Sequence, residues 1–118
     1  MSESMRPAGK TTVDPDVLIT IARLTTLRID GVSRMAMAPR PVNRLFSGFV
    51  QDGIRFQEQD GSIFIDLYVV LNGDVPIGDT ATKIRSEVAR AITELVGLDV
   101  GWVNVHVEDV DFTAQGQE

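Results

Sequence analysis

His106 is the single histidine of this 118-residue chain, and the chain has no cysteine. Two carboxylates, Asp66 and Glu108, fall on strand-like segments that could bring them beside it. An aspartate next to an imidazole can orient it as a general base, and one histidine with two carboxylates can hold a divalent metal. The rest of such a site is hard to find. Ser62 and Thr113 lie at element ends, no G-x-S-x-G elbow occurs, and a thiol nucleophile or cysteine-containing zinc site is excluded by composition. The turn Pro76-Ile77-Gly78-Asp79-Thr80 lacks the lysine of a phosphate-binding loop. The expectation is therefore a protein with no catalytic, cofactor-binding or metal-binding residues: not an enzyme.

Charge narrows the partners. Net charge is −6, which argues against nucleic acid as the main ligand. The charge is uneven: residues 1–59 carry eight Lys/Arg against six Asp/Glu, and residues 60–118 carry three against eleven. Arg34, Arg40 and Arg44 form a basic stretch without acidic neighbours in sequence, which reads as a solvated loop or as a docking patch for an anionic partner. The opening MSESMRPAGK has no apolar signal-peptide core, and the best apolar run, Ile63 to Leu71, is interrupted by Asp66. The expected compartment is the cytoplasm.

The elements that position these residues follow from periodicity. Residues 1–8 and 113–118 read as flexible tails around one domain at 9–112. Lys10–Val13 fits a short opening strand. Asp14 and Pro15 mark a helix start, the Asp as a side-chain cap and the Pro at the first helical position. Val17, Leu18, Ile21, Ala22, Leu24 and Thr25, widened by Leu27 and Ile29, predict one buried stripe, with Gly31 as the closing cap. Val32–Ala38 alternates as a strand, with Met35 and Met37 on one side, and ends before Pro39 and Pro41. Val42–Val50 has the weakest pattern, compatible with a short helix carrying Leu45, Phe46 and Phe49. Gly53–Gln57 and Ile63–Leu71 predict a hairpin around Asp60–Gly61. A long amphipathic helix from Ile77 or Asp79 to Val96, with Gly97 as its cap, precedes a last strand at Val100–Val110.

The order β-α-β-β-β-α-β predicts an α+β, two-layer sandwich: a mixed sheet of about four strands with both helices on one face. Strand alternation then assigns the two faces. Ile63, Ile65, Leu67, Val69 and Leu71 join Val103, Val105 and Val107 beneath the helices. The uncovered side carries Phe64, Tyr68, Trp102 and His106 among Asp66, Asn104 and Glu108. Aromatic bodies with polar tips suit a protein interface, so Phe64, Tyr68, Trp102 and His106 are the candidate contact residues. Simple packing beneath the Val42–Val50 segment and base stacking are the competing uses of such a face.

Gly9-Lys10-Thr11-Thr12-Val13-Asp14-Pro15-Asp16-Val17-Leu18 and the Asp30-Gly31-Val32 turn resemble the bacterial alkaline shock protein family, the Gls-type envelope stress response family. Ile65-Asp66-Leu67-Tyr68-Val69-Val70, the helix through Val88, Ala91 and Leu95, then Gly97-Leu98-Asp99-Val100 and Val103-Asn104-Val105-His106-Val107 are similar to that family's core in order and spacing. The stretch Met35–Val50 departs from the Gly- and Lys-rich segment of relatives, and Pro76-Ile77-Gly78-Asp79 replaces their Ile-Pro-Glu. The resemblance implies a non-enzymatic bacterial interaction or scaffold protein that self-associates or docks a protein partner, and meets the membrane only through an anchoring partner. A regulatory or ligand-binding accessory subunit of a lipid-metabolism enzyme is the alternative.

Overall fold

The alternation at Ile63–Leu71 forms an eleven-residue strand, Ser62–Asn72, with neighbours on both edges. The computed structural model describes residues 8–9, 12–39 and 48–112. Within them the elements are α1 (Pro15–Leu27), β1 (Val32–Met35), β2 (Phe49–Gln51), β3 (Ile54–Gln59), β4 (Ser62–Asn72), α2 (Ile77–Val96) and β5 (Asp99–Asp111). The five strands form one mixed sheet. β5 runs parallel to β4 along the whole of one edge, joined to it through α2. On the other edge β3 and then β1 pair antiparallel with β4, end to end, and β2 lies outside β3. The architecture is the expected α+β sandwich.

Several expectations need correction. Thr12 and Val13 are not in a strand, and Lys10 and Thr11 lie outside the described residues. The fifth strand is instead β2, whose Phe49 and Val50 were expected in a short helix; residues 42–47 lie outside the described residues. The reason is local. Asp52 and Gly53 have φ of 55° and 80°, and Gln51 pairs with Ile54, which makes a two-residue hairpin turn of the same kind as Asp60–Gly61. β1 stops at Met35, short of Ala38, and Met37 is 90% exposed.

Helix α1 begins with Pro15 in its first turn, but Asp14 makes no side-chain cap bond. It ends at Leu27, earlier than expected; Gly31 instead takes φ of 101° in the following turn, where its carbonyl accepts from Asn72 N–H. The expected single stripe divides in two. Leu18, Ile19, Ala22 and Thr26 are buried, whereas Val17, Leu24 and Leu27 face outward. α2 follows its apolar stripe in the middle, where Ile84, Val88 and Ile92 are fully buried at four-residue steps, but Ile77 and Leu95 of the same stripe are exposed at its ends; Gly97 caps it in the left-handed conformation.

Both helices pack on the aliphatic face, where Leu18, Ile84 and Val88 meet Ile65, Leu67 and Val69 in one core. The end-to-end arrangement of β3 and β1 depends on Gly53. A Cβ there would fall on the Ala36 carbonyl oxygen, at a φ that L-residues rarely adopt. Gly53→Ala is expected to destabilise the protein by about 3 kcal/mol, the sum of left-handed strain and overpacking, read as a lower urea midpoint with an unchanged slope.

Candidate functional site

The opposite face of the sheet is a small grid of side chains set by strand register. Arg55, Asp66 and Asn104 form one row across β3, β4 and β5; Gln57, Phe64 and Trp102 form the next. Tyr68 and His106 are partners on the other side of the Asp66 row. In parallel strands a long side chain also reaches the diagonal neighbour. Asp66 Oδ1 accepts from His106 Nε2–H at 2.9 Å and from Asn104 Nδ2 at 3.3 Å. Arg55 Nη1 donates to the Tyr68 hydroxyl at 3.3 Å.

The aromatic rings pair in two different ways. Phe64 and Trp102 meet edge to face, with centroids 4.8 Å apart at 69°. Tyr68 and His106 stack at 4.5 Å and 11°. Pairs of this kind add about 0.5–1.5 kcal/mol beyond the area they bury. The Phe64 ring occupies the space where a Cβ at Gly101 would stand, so that glycine admits the ring at the strand irregularity between Val100 and Trp102.

Of the four candidate contact residues, Trp102 is the most open, at 52% exposure, and Phe64 is half-buried beside it. Tyr68 is buried, with its ring stacked against the imidazole. His106 keeps 39% of its side chain in solvent. Arg34 is exposed on the same face, opposite Val70, while Arg40 and Arg44 lie outside the described residues. Glu108 does not join Asp66 and His106. The register skips it, and Asp109 stands opposite Val70. Ser62 pairs with Asp99 at the far end of β4, away from the imidazole. Among the described residues no three His, Cys, Asp or Glu side chains gather as metal ligands.

Arg55 joins this face beyond the candidate residues, and the sequence carries a signal for it. A two-residue turn at Asp60–Gly61 fixes the pairing of Gln59 with Ser62, and counting back places Arg55 opposite Asp66. A separate cleft of about 790 Å³ lies off this face, lined by Arg23, Met35, Met37, Val50 and Asp52. Arg23 Nε stands 3.8 Å from Asp52 Oδ2 there.

A family model, that of the alkaline shock protein 23 family with cell envelope-related function, matches residues 3–112. The chain belongs to this family. Among its relatives, uncharacterized protein YqhY of Bacillus subtilis (strain 168) is 26% identical over 112 residues, covering 93% of this chain and 83% of the relative. Uncharacterized protein Spy1535 of Streptococcus pyogenes serotype M6 is 26% identical over 103 residues, covering 86% and 79%. Among solved structures, a copper form of a MamM CTD variant superposes with a TM-score of 0.52 at 11% identity, covering 83% of this chain and 100% of that one. A second MamM CTD variant gives 0.50 at 12% identity, covering 81% and 95%. At these identities the likeness is one of fold.

Asp66 is the polar hub of the face. Asp66→Ala is expected to lower stability by about 1 kcal/mol by leaving two partners unpaired, and to leave the emission maximum of Trp102 unchanged because that ring packs on Phe64. Urea titration followed by fluorescence of this single tryptophan measures both.

Proposed function

We propose that this chain is a non-enzymatic docking module whose sheet face binds a protein partner, with Trp102 as the anchor. The observation carrying the reading is that a half-exposed indole stands edge-on against Phe64, beside polar groups already fixed by one another. Rings and polar tips ordered before binding lose little further entropy, and aromatic anchors of this kind concentrate binding energy. The family's cell envelope-related function supports a partner at the envelope. No helix among the described residues is long and apolar enough to cross a membrane, which supports work from the cytoplasm, with the membrane reached through that partner.

The cleft lined by Met35, Met37 and Val50 favours a second reading, a ligand-responsive accessory subunit of a lipid-metabolism enzyme, since its volume suits a small molecule. Melting the protein against a metabolite panel separates the two: a ligand that raises Tm supports the accessory subunit, and flat melting counts against it.

For the docking module, immobilised protein is incubated with membrane and soluble fractions separately. Trp102→Ala should reduce partner recovery roughly tenfold or more, as loss of a central aromatic anchor does. Arg85→Ala, on the outward side of α2, should leave recovery unchanged. Equal recovery by the Trp102 variant would reject this face.

A further inference from the structure

Asn72 is the last residue of β4, and Gly73 follows it. In an asparagine–glycine pair the glycine backbone nitrogen can attack the asparagine side-chain carbonyl, because no Cβ hinders its approach. The other asparagines, Asn43 and Asn104, precede Arg44 and Val105, whose side chains obstruct that attack. The Asp–Gly pairs that begin at Asp30, Asp52 and Asp60 offer an ionised carboxylate, a poor electrophile with no ammonia to lose. Hydrogen bonds hold the Asn72–Gly73 pair in place. Asn72 N–H donates to the Gly31 carbonyl at 2.8 Å, and Gly73 N–H donates to the Asp111 carbonyl at 3.0 Å. Ser33 Oγ donates to Asp111 Oδ2 at 2.9 Å, which ties the end of β5 to β1. The Phe112 ring fills the space in which a Cβ at Gly73 would stand, so it packs directly on that glycine.

We propose that Asn72–Gly73 is a latent deamidation site, guarded by the end of β5 and acting as a one-way latch on that end. While the strands are joined, attack is blocked twice. The Gly73 nitrogen keeps its proton in the bond to Asp111, and the extended backbone at Asn72 holds that nitrogen away from the side-chain carbonyl. Strand ends open locally without global unfolding. When Asp111 and Phe112 come away, the Gly73 N–H loses its proton to solvent base. Its nitrogen bonds to Asn72 Cγ, and the side-chain amide takes up a proton and leaves as ammonia. Water then opens the five-membered succinimide at one carbonyl or the other, to aspartate or to isoaspartate. Either product works against closure. An aspartate there stands opposite Asp111, its register partner, and like charges directly opposite one another destabilise a sheet. An isoaspartate adds a methylene to the backbone between the two N–H groups bonded to Gly31 and Asp111, so the two bonds no longer form in one register.

This inference needs no partner and does not depend on the sheet-face reading. Purified protein is incubated in mildly alkaline buffer, folded and in urea, and then digested with trypsin. The fragment covering residues 56–83 holds Asn72 as its one asparagine, so its change in mass reports this site alone. Conversion should be fastest in urea and slow in the folded wild type. Phe112→Ala, at a side chain 58% exposed, should speed conversion of the folded protein roughly fivefold or more by easing local opening. Val88→Ala, which leaves a cavity in the core, should lower Tm at least as far and speed conversion less. Trp102→Ala should convert as the wild type does, so that failure of either reading is seen by itself. Asn72→Asp should lower Tm, and adding Asp111→Asn should restore part of the loss. Folded wild type converting as fast as the chain in urea would overturn the proposal, and that comparison needs no variant. So would equal rates for Phe112→Ala and the wild type, or an Asn72→Asp protein as stable as the wild type.

Discussion

The fold depends on how one strand, β4, shares its second edge between two others. At Tyr68 the backbone N–H donates to the Gly53 carbonyl at 2.9 Å, while the Tyr68 carbonyl accepts from Ala36 N–H at 2.8 Å. β3 ends its pairing and β1 begins at this single residue. The two strands can meet only because position 53 has no side chain, since the Ala36 carbonyl takes that space. The Asp52–Gly53 turn brings the chain from β2 into β3 at this point. Both backbone groups of Tyr68 are held there, and its buried ring stacks against that of His106 on the neighbouring strand.

The chemistry of the sheet face follows from the other edge of β4. Parallel pairing with β5 places Trp102, Asn104 and His106 beside Phe64, Asp66 and Tyr68 in order. One irregularity, at Gly101, makes room for the Phe64 ring; another, near Glu108, removes that carboxylate from the row. What remains is a carboxylate that accepts from an imidazole and an amide, flanked by two ring pairs. The arrangement pairs polar groups with one another and packs the aromatic rings in two separate contacts.

Much of this was legible before the structure, and the misses have physical causes. Two-residue alternation in β4 and β5 assigned Phe64, Asp66, Trp102 and His106 to one face because a strand has only two sides. The bulge that displaced Glu108 leaves no composition mark, and parity counting fails past any such insertion. β2 was lost for a different reason. Three residues carry too little periodicity to identify a strand, and only the Asp52–Gly53 dipeptide marked it. In α1 the apolar spacing is helical, but the positions fall on two sides rather than one. Thirteen residues with apolar side chains on two opposite faces look, in sequence, like one broad stripe.

The way the sheet ends decides which surfaces are left for association. Among the described residues β5 pairs only with β4, so its outer edge is a row of backbone groups thirteen residues long. Such an edge is a template for pairing with any other strand. Here it is interrupted by register shifts at both ends, and it bears Asp99 at its start and Glu108, Asp109 and Asp111 at its close. Two β5 strands brought together antiparallel set the acidic end of each against the other's Asp99, and the shifts break the ladder that would repay the repulsion. The edge is thus closed to self-pairing by charge and geometry together. Two faces stay open beside that edge, the sheet face that ends in Trp102 and the outward side of α1. These lie on opposite layers of the sandwich, so a partner on one leaves the other open.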